Sequence, residues 1–374
     1  MIPFVNLTQQ REKYRFELEK AERAVLDSGC YIGGAEVSAL ENELSAYSGV
    51  PHTLTCASGT DALTLALMTL QLQPGDEVIV PDFTFIAPAE CCAFLGGTPV
   101  FADIDRETLQ ISPESVRTLI GKRTKGIIAV NLFGQCAPFK ELRKIADEFG
   151  LWIIEDAAQA FGARVLDSTK GSPTSHNNKA CAFGDISITS FYPSKPLGCY
   201  GDGGAVFTDD KALYDRLFSI LVHGRGGDKY DNILIGLNAR LDTIQAAVLL
   251  QKLTLFKEEI ELRQTVAANY AKALSGLVQV PTVAKDCVSV WAQYCPRSKD
   301  FAKIQAALKE AGIPSARYYP IPMHLLKAMA YLGYKKGDMP VAEAIAEDIF
   351  ALPMHPYLDA EIIEKIGTVV RSAL

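Results

Sequence analysis

The chain has 374 residues, of which 48% are hydrophobic and 22% are charged, which is enough to bury the cores of two or more domains. Its 37 Lys and Arg residues are outnumbered by 44 Asp and Glu residues, giving a formal net charge of -7, and no long basic run marks a nucleic-acid-binding surface. Neither a signal-peptide core nor an apolar run of membrane-spanning length occurs. We therefore expect a cytoplasmic protein that acts on small molecules and binds neither nucleic acid nor membrane.

Two helical patterns cover the first fifty residues and predict an N-terminal helical arm. From Leu54 onward, short apolar runs alternate with helical patterns, which predicts a largely parallel α/β sheet with helices on both faces. The predicted strands are 78–80, 99–102, 126–131, 152–155 and 186–191, and the predicted helices are 61–70, 87–94, 112–119 and 138–149.

A long amphipathic stretch over 242–274 predicts a helix that leads out of this sheet. The remaining chain has the pattern of a smaller α+β region. We therefore divide the chain into an arm (1–50), a large α/β domain (51–245), a connecting helix (246–275) and a small C-terminal domain (276–374). The nine cysteines lack the spacing of a zinc site, so we expect free thiols and no metal.

The first candidate functional motif is Ala57-Ser58-Gly59-Thr60-Asp61-Ala62, where a strand-like run leads into a helix. Small and hydroxylated residues at a helix N-terminus let backbone N–H groups approach a dianion such as phosphate. The same residues form an ordinary cap in many helices. Taken alone, the motif leaves both roles open.

A second motif ends the predicted strand 152–155 with two adjacent acids, Glu155 and Asp156. Side chains alternate along a strand, so the two carboxylates face opposite sides of the sheet. Open α/β sheets bind ligands at the carboxyl ends of their strands, which makes Asp156 a candidate site acid. The alternative is an aspartate that caps the following turn.

The third motif is Lys195, which stands between Pro193 and Pro196 and before a glycine-rich turn over 198–204. The prolines argue against a regular helix here. A lysine in such a constrained setting is a candidate nucleophile, and a solvated surface lysine is the alternative. A lysine, an acid for a pyridine nitrogen and an anion site are what pyridoxal phosphate (PLP) chemistry requires, so the three motifs together predict a PLP enzyme.

These motifs resemble those of the DegT/DnrJ/EryC1/StrS family of nucleotide-sugar aminotransferases. The resemblance extends over essentially the whole chain and includes the segments 58–60, 81–85, 155–159, 190–195, 236–242 and 320–324. It implies the type I fold of PLP-dependent transferases, with a mostly parallel seven-stranded sheet between helices and a smaller C-terminal α+β domain. The segment 164–182 is longer than the short turn that the family usually has there.

The resemblance also implies roles for individual residues. Lys195 would hold PLP as a Schiff base and Asp156 would hold its pyridine nitrogen, with Phe85 stacked on the ring. Asn238 would reach the phosphate in the partner subunit's site, which implies a homodimer with shared active sites. The implied cofactor contacts are Gly59, Thr60, Asp61, Phe85, Asp156, Gln159, Ser190, Lys195 and Asn238.

The implied reaction is a two-step transamination in which L-glutamate converts PLP to pyridoxamine phosphate (PMP), which then aminates a nucleotide-linked keto sugar. The run 191–205 resembles members that aminate the 3-keto group of a UDP-2-acetamido-2-deoxy-hexuluronate, for cell-surface polysaccharide or lipopolysaccharide O-antigen. Arg240 would pair with the uronate carboxylate. Tyr319 and His324 would contact the sugar, or serve instead as a core tyrosine and a helix-capping histidine.

Several alternatives remain open on the sequence. In one alternative, the acceptor is a 4-keto-6-deoxy sugar linked to UDP or dTDP. In another, the protein is a non-catalytic regulator that binds PLP. A sugar dehydratase is disfavoured because Lys195 is not replaced by histidine. A nicotinamide dehydrogenase is disfavoured because no Gly-x-Gly-x-x-Gly follows the first strand.

Overall fold

The computed structural model describes residues 2–166, 178–228 and 230–374. Turn-forming residues over 166–179, within the longer segment 164–182, predict a surface loop, and most of that segment lies outside the described residues. The described strands are β1 (His52–Cys56), β2 (Glu77–Pro81), β3 (Thr98–Ala102), β4 (Thr124–Val130), β5 (Trp152–Asp156), β6 (Arg164–Val165), β7 (Ile186–Ser190), β8 (Gly204–Thr208) and β9 (Cys287–Val288).

The helices begin with a short N-terminal pair, and the longest of them, α9, follows the sheet. In chain order they are α1 (Leu7–Lys13), α2 (Arg15–Ser28), α3 (Ala35–Ser48), α4 (Gly59–Thr69), α5 (Ala87–Phe94), α6 (Pro113–Leu119), α7 (Phe139–Phe149), α8 (Lys211–Leu221), α9 (Thr243–Ala273), α10 (Phe301–Glu310), α11 (Pro340–Asp348) and α12 (Ala360–Ala373). None of the helices in the described ranges is long and apolar enough to cross a membrane.

Seven strands form the central sheet in the order β1-β8-β7-β5-β4-β2-β3. The pairs from β7 through β5, β4 and β2 to β3 are all parallel, whereas β8 is antiparallel to both of its neighbours, β1 and β7. The prediction of a mostly parallel seven-stranded sheet is therefore confirmed. Its strand order and directions agree with the type I fold that the family resemblance implies.

Side chains point alternately to the two faces of the sheet along each strand, and each face packs into its own hydrophobic core. Ile128 and Ile154 pack with α4, α5 and α8 on one face, whereas their neighbours Ile127 and Ile153 pack with α3, α7 and α9 on the other. Both faces are therefore covered by helices. This explains why the strands read as continuous apolar runs in the sequence.

Two elements of the large sheet region were not predicted. The strand β8 opens on Gly204, the last residue of the glycine-rich turn that we predicted over 198–204, and no strand was predicted after it. A Cβ at Gly204 would lie 2.5 Å from the carbonyl oxygen of Ser58, so the close approach of the chain next to α4 requires glycine there. Helix α8, which follows β8, was also missing from our prediction.

The C-terminal region is built from helices and short extended segments. Tyr270 at the end of α9 packs with α10 and α12 in a third core. The extended segments are joined by isolated bridges such as Tyr294 to Leu352, and β9 pairs with β6. Helix α11 contributes Ile345 to the core on the α4 face of the sheet. Our domain boundaries at 50, 245 and 275 remain predictions.

Candidate active site

A cavity of about 590 Å³ opens where the parallel strands end. Strand ends, the start of α4, the loop after β2, the turn around Lys195 and a C-terminal segment form its wall. This is the edge at which open α/β sheets bind ligands. Of the predicted site residues, the wall contains Gly59, Thr60, Phe85, Asp156, Gln159, Ser190, Lys195 and Tyr319.

The start of α4 forms one end of the cavity. Ser58 caps the helix by accepting a hydrogen bond from the Asp61 backbone N–H at 3.0 Å. A Cβ at Gly59 would lie 2.7 Å from Cβ of Ser190, so glycine lets the helix start pack against the end of β7. The first N–H groups of a helix have no partner within it and carry partial positive charge. This cradle is suited to a phosphate.

Asp61 was predicted as a cofactor contact, but in the structure its side chain forms part of the N-terminal cap of α4. Its carboxylate accepts a hydrogen bond from the Ser58 hydroxyl at 2.9 Å, and it is absent from the described wall of the cavity. A direct cofactor contact by Asp61 remains a prediction. Its visible role is to hold Ser58 in place.

Asp156 is the last residue of β5 and is buried on the cavity side. Burial raises the pKa of its carboxyl group, while the Ala158 N–H, which donates to Oδ1 at 2.9 Å, and the charge of Lys195 lower it. Among the described residues, Oδ2 has no hydrogen-bond partner. That oxygen is available to a positively charged ring nitrogen.

The neighbouring acid, Glu155, faces the opposite side of the sheet, as strand alternation predicts. Its carboxylate accepts hydrogen bonds from the side chains of Asn131 (2.7 Å) and Ser187 (2.8 Å) and from the backbone N–H groups of Cys181 and Phe183. Burial raises its pKa against the effect of these four bonds. Glu155 is therefore a structural acid that joins loops to the sheet.

Lys195 lies in a tight turn between β7 and β8. Its backbone N–H donates to the Tyr192 carbonyl at 2.8 Å, and the Cys199 N–H returns to the Phe191 carbonyl at 2.7 Å. Burial lowers the pKa of Lys195, and the charge of Asp156 opposes that effect. The ammonium makes no hydrogen bond with any described residue. The amine therefore faces the cavity without a hydrogen-bond partner among the described residues. Because its pKa is lowered, a larger fraction of it is neutral.

An exposed aromatic ring and an amide complete the wall. Phe85 is 54% exposed although it is large and apolar, so its ring can stack on a planar ligand. Gln159 accepts a hydrogen bond from the Phe133 N–H at 2.8 Å and donates to the Tyr319 hydroxyl at 3.1 Å. The amine, the carboxylate, the phosphate cradle and the stacking ring have the chemistry that PLP requires.

His324 is enclosed behind the cavity and does not form part of its described wall. Nδ1 lies 2.7 Å from Asp82 and Nε2 lies 3.2 Å from Glu343, and the His324 N–H donates to Asp82 at 2.7 Å. Burial by itself lowers the pKa of His324, but the two carboxylates raise it overall. The sugar contact predicted for His324 remains a prediction. The ring fixes Asp82, which precedes the loop that carries Phe85.

Asn238 and Arg240 are exposed and lie outside the described wall of their own chain's cavity. The Arg240 guanidinium donates to Oδ1 of Asn238 at 2.7 Å and 3.2 Å. Ala239 between them accepts a hydrogen bond from the Ala57 N–H at 2.8 Å, which fixes this segment beside the start of α4. The roles predicted for the two side chains remain predictions.

Several wall residues were not predicted from the sequence. Tyr192 and Ser194 belong to the Lys195 motif and were open to prediction from their position beside it. Gln293, Arg317 and Tyr318 come from the C-terminal region, where no pattern marks them. Arg317 is held over the Phe301 ring at 4.3 Å. Asp202 also lines the cavity.

Comparison with known proteins gives a consistent match. The model of the DegT/DnrJ/EryC1/StrS aminotransferase family matches residues 13–371. The chain is 44% identical to UDP-2-acetamido-2-deoxy-3-oxo-D-glucuronate aminotransferase of Pseudomonas aeruginosa, over 98% of both chains. It is 40% identical to UDP-N-acetyl-3-dehydro-alpha-D-glucosamine 3-aminotransferase of Acidithiobacillus ferrooxidans, over 100% of this chain and 98% of that protein.

Two solved structures extend this match to three dimensions. A DegT DnrJ EryC1 StrS aminotransferase from Brucella abortus superposes with a TM-score of 0.94 at 44% identity, covering 100% of this chain and 99% of that one. NtdA of Bacillus subtilis, solved with the cofactor PMP bound, superposes with a TM-score of 0.88 at 27% identity, covering 99% of this chain and 85% of that one.

Proposed function

The chain belongs to the DegT/DnrJ/EryC1/StrS aminotransferase family, and we propose that it transfers the amino group of L-glutamate to the 3-keto group of a UDP-linked 2-acetamido-2-deoxy-hexuluronate. Its cofactor is PLP, as the family and the PMP bound in a structural neighbour indicate. The observation that carries the proposal is the cavity that unites Lys195, Asp156 and the start of α4.

The reaction is divided among the residues of this cavity. When bound, PLP supplies an electron sink for the carbon that loses or gains a proton. Asp156 holds the proton on the ring nitrogen, and the start of α4 binds the phosphate together with Ser190. Lys195 Nζ removes the proton from Cα of glutamate and later delivers one to C3 of the sugar. Burial supports this role by favouring the neutral amine.

The substrate class rests on the two relatives whose names specify a UDP-linked 3-keto sugar. One of those sugars is a uronate. Arg240 is suited to bind a carboxylate because it is exposed and its planar guanidinium can donate two parallel hydrogen bonds to the two carboxylate oxygens. We therefore propose a homodimer in which Asn238 and Arg240 reach the partner's cavity. The product would serve cell-surface polysaccharide or O-antigen biosynthesis.

A substrate panel tests the proposed acceptor. Purified protein with PLP and L-glutamate is mixed with UDP- and dTDP-linked 3-keto and 4-keto sugars, with and without a uronate carboxylate, and products are identified by mass spectrometry. We expect an amine on the UDP 3-keto uronate. Amination of 4-keto sugars alone, or conversion of glutamate without amination of any sugar in the panel, would overturn the proposed acceptor.

A lysine variant tests the site. Lys195→Ala should lose 2-oxoglutarate formation from glutamate, because the amine that moves the proton is gone. The matched control is Lys211→Ala, since Lys211 is an exposed lysine on α8 that pairs with Asp215. Normal turnover by the Lys195 variant would contradict the assignment.

A further inference from the structure

Two cysteines lie together outside the active-site cavity. Cys136 follows the turn after β4, and Cys287 is the first residue of β9, 151 positions later. Cys287 Sγ lies 3.9 Å from the carbonyl oxygen of Cys136, so the side chain of Cys287 is in direct contact with Cys136. Both cysteines are free.

A small oxidant has access to this pair. Both cysteines line an open pocket of about 420 Å³, and Cys287 is half-buried while Cys136 is buried. Interaction with the Cys136 side chain lowers the pKa of Cys287, against burial and the charge of Asp286, whereas the pKa of Cys136 is raised. Since the thiolate is the reactive form, Cys287 reacts first.

We propose that Cys136 and Cys287 form a peroxide-sensitive dithiol that closes reversibly into a disulfide. The Cys287 thiolate attacks hydrogen peroxide, so that an S–O bond forms, the O–O bond breaks and hydroxide leaves. The Cys136 sulfur then attacks Cys287 Sγ, an S–S bond forms, and the S–O oxygen leaves as water with the Cys136 proton. The hydroxide takes up the proton that the Cys287 thiol released on ionisation, so the two thiols lose two electrons and the peroxide becomes two water molecules.

Hydrogen bonds between the two chain segments already hold Cys136 and Cys287 next to each other. The Val290 N–H donates to the Gly134 carbonyl at 2.8 Å, and the Ala292 N–H donates to the Phe133 carbonyl at 3.2 Å. The Gln135 amide donates to the Thr282 carbonyl at 3.0 Å. A disulfide would fasten the start of the C-terminal region to the segment whose Phe133 N–H supports Gln159 in the cavity wall. Such a long closed loop gives a disulfide a large stabilising effect.

Peptide mapping tests the proposal directly. The full-length PLP-loaded protein is treated with hydrogen peroxide, blocked with an alkylating agent and digested without reductant. We expect a Cys136–Cys287 linked peptide that disappears on reduction. Cys287→Ser should lose it, and Cys30→Ser, which removes an exposed cysteine, should retain it.

The thermal unfolding midpoint provides a second measurement. Oxidation should raise it in the wild type and leave it unchanged in Cys287→Ser. The proposal is overturned if Cys30 is oxidised while Cys136 and Cys287 are both recovered as alkylated thiols. It is also overturned if Cys287 is oxidised to the sulfinic acid while Cys136 remains a free thiol. If the protein with the Cys136–Cys287 disulfide unfolds at the same or a lower temperature, the disulfide does not fit the native structure, and this result would contradict the proposal.

Discussion

Burial acts in opposite directions on the two principal residues of the site. It lowers the pKa of Lys195 and raises that of Asp156, and each charge partly offsets the effect on the other. Both shifts favour the neutral form, which is the form that Lys195 needs to accept a proton. Asp156 needs its charge instead, and a cationic ring nitrogen beside Oδ2 would favour the carboxylate.

The charge of Asp156 can be removed without changing its size. We expect Asp156→Asn to lower kcat by at least about 100-fold, because a neutral amide does not hold the ring nitrogen protonated. The measurement is steady-state kinetics with L-glutamate and the UDP-linked 3-keto sugar as acceptor, at saturating PLP. Asp215→Asn on the surface of α8 is the control, and an Asp156 variant with near-normal kcat would refute the assigned role.

A buried histidine, His355, which is not part of the described cavity wall, is expected to make the stability depend on pH. His355 is 2% exposed, and neither ring nitrogen has a hydrogen-bond partner among the described residues. Burial, aided by the charge of Arg263, lowers its pKa to about 4 from an ordinary value of 6.5. Between these two values the unfolded chain binds more protons than the folded chain. The free energy of unfolding therefore falls as the pH falls from 6.5 toward 4.

For this one group, the expected loss between pH 7 and pH 5 is about 2 kcal/mol. His355→Gln has no titrating group at this position, so its free energy of unfolding should decrease less over the same interval. Urea unfolding at the two pH values measures the difference. Equal decreases in wild type and variant would contradict this role of His355.

At the scale of elements, the phosphate cradle depends on how closely α4 approaches the end of β7. The helix begins at Gly59, and its cap, Ser58, is fixed in turn by Asp61. These residues were predicted from sequence because helix capping is local. The contact with Ser190 is not local, and only the fold explains why the first helical residue is glycine.

Adding one methyl group at this contact tests the cradle. Gly59→Ala would place a Cβ 2.7 Å from Cβ of Ser190, so the start of α4 must shift. Overpacking costs about 1–3 kcal/mol, so we expect PLP to bind roughly tenfold more weakly or worse. Equilibrium dialysis measures the dissociation constant. Gly121→Ala, where the nearest atom is 3.7 Å away, should bind PLP normally, and equal affinity in both variants would argue against the cradle.

At the scale of the whole molecule, one surface segment is unusual. Ile233 is 62% exposed and Ile235 is 87% exposed, just before Asn238 and Arg240. Exposed aliphatic side chains beside polar groups with predicted site roles are expected at a surface that a partner covers. The segment is held beside the start of α4 through Ala239. This arrangement supports the proposed homodimer with shared sites.

Mixed dimers test whether the sites are shared. Lys195→Ala and Asn238→Ala should each be impaired alone. After unfolding and refolding together, half of the dimers combine one chain of each kind, and one of their two sites is intact. Activity should therefore recover to about one quarter of the wild-type value.

The matched control pairs Lys195→Ala with Phe85→Ala. Both residues line the cavity of a single chain, so mixing leaves every mixed dimer with one defect at each site. No recovery beyond the parent activities is expected. Recovery in the control, or its absence in the Lys195 and Asn238 mixture, would contradict a site shared in the proposed way.

The sequence by itself determined the features that depend on neighbouring residues. Alternation along strands placed Asp156 and Glu155 on opposite faces, and breakers and capping residues marked Lys195 and the start of α4. The repeated strand and helix patterns determined the mostly parallel sheet. These signals are local in the chain, so no knowledge of packing is needed to find them.

Only the tertiary structure decided which distant segments meet. It brought Gln293, Arg317 and Tyr318 to the cavity wall, and it enclosed His324 between Asp82 and Glu343. It also made β8 antiparallel and placed Cys136 beside Cys287. Contacts between residues far apart in the chain depend on how whole elements pack, and no local pattern of residues encodes them.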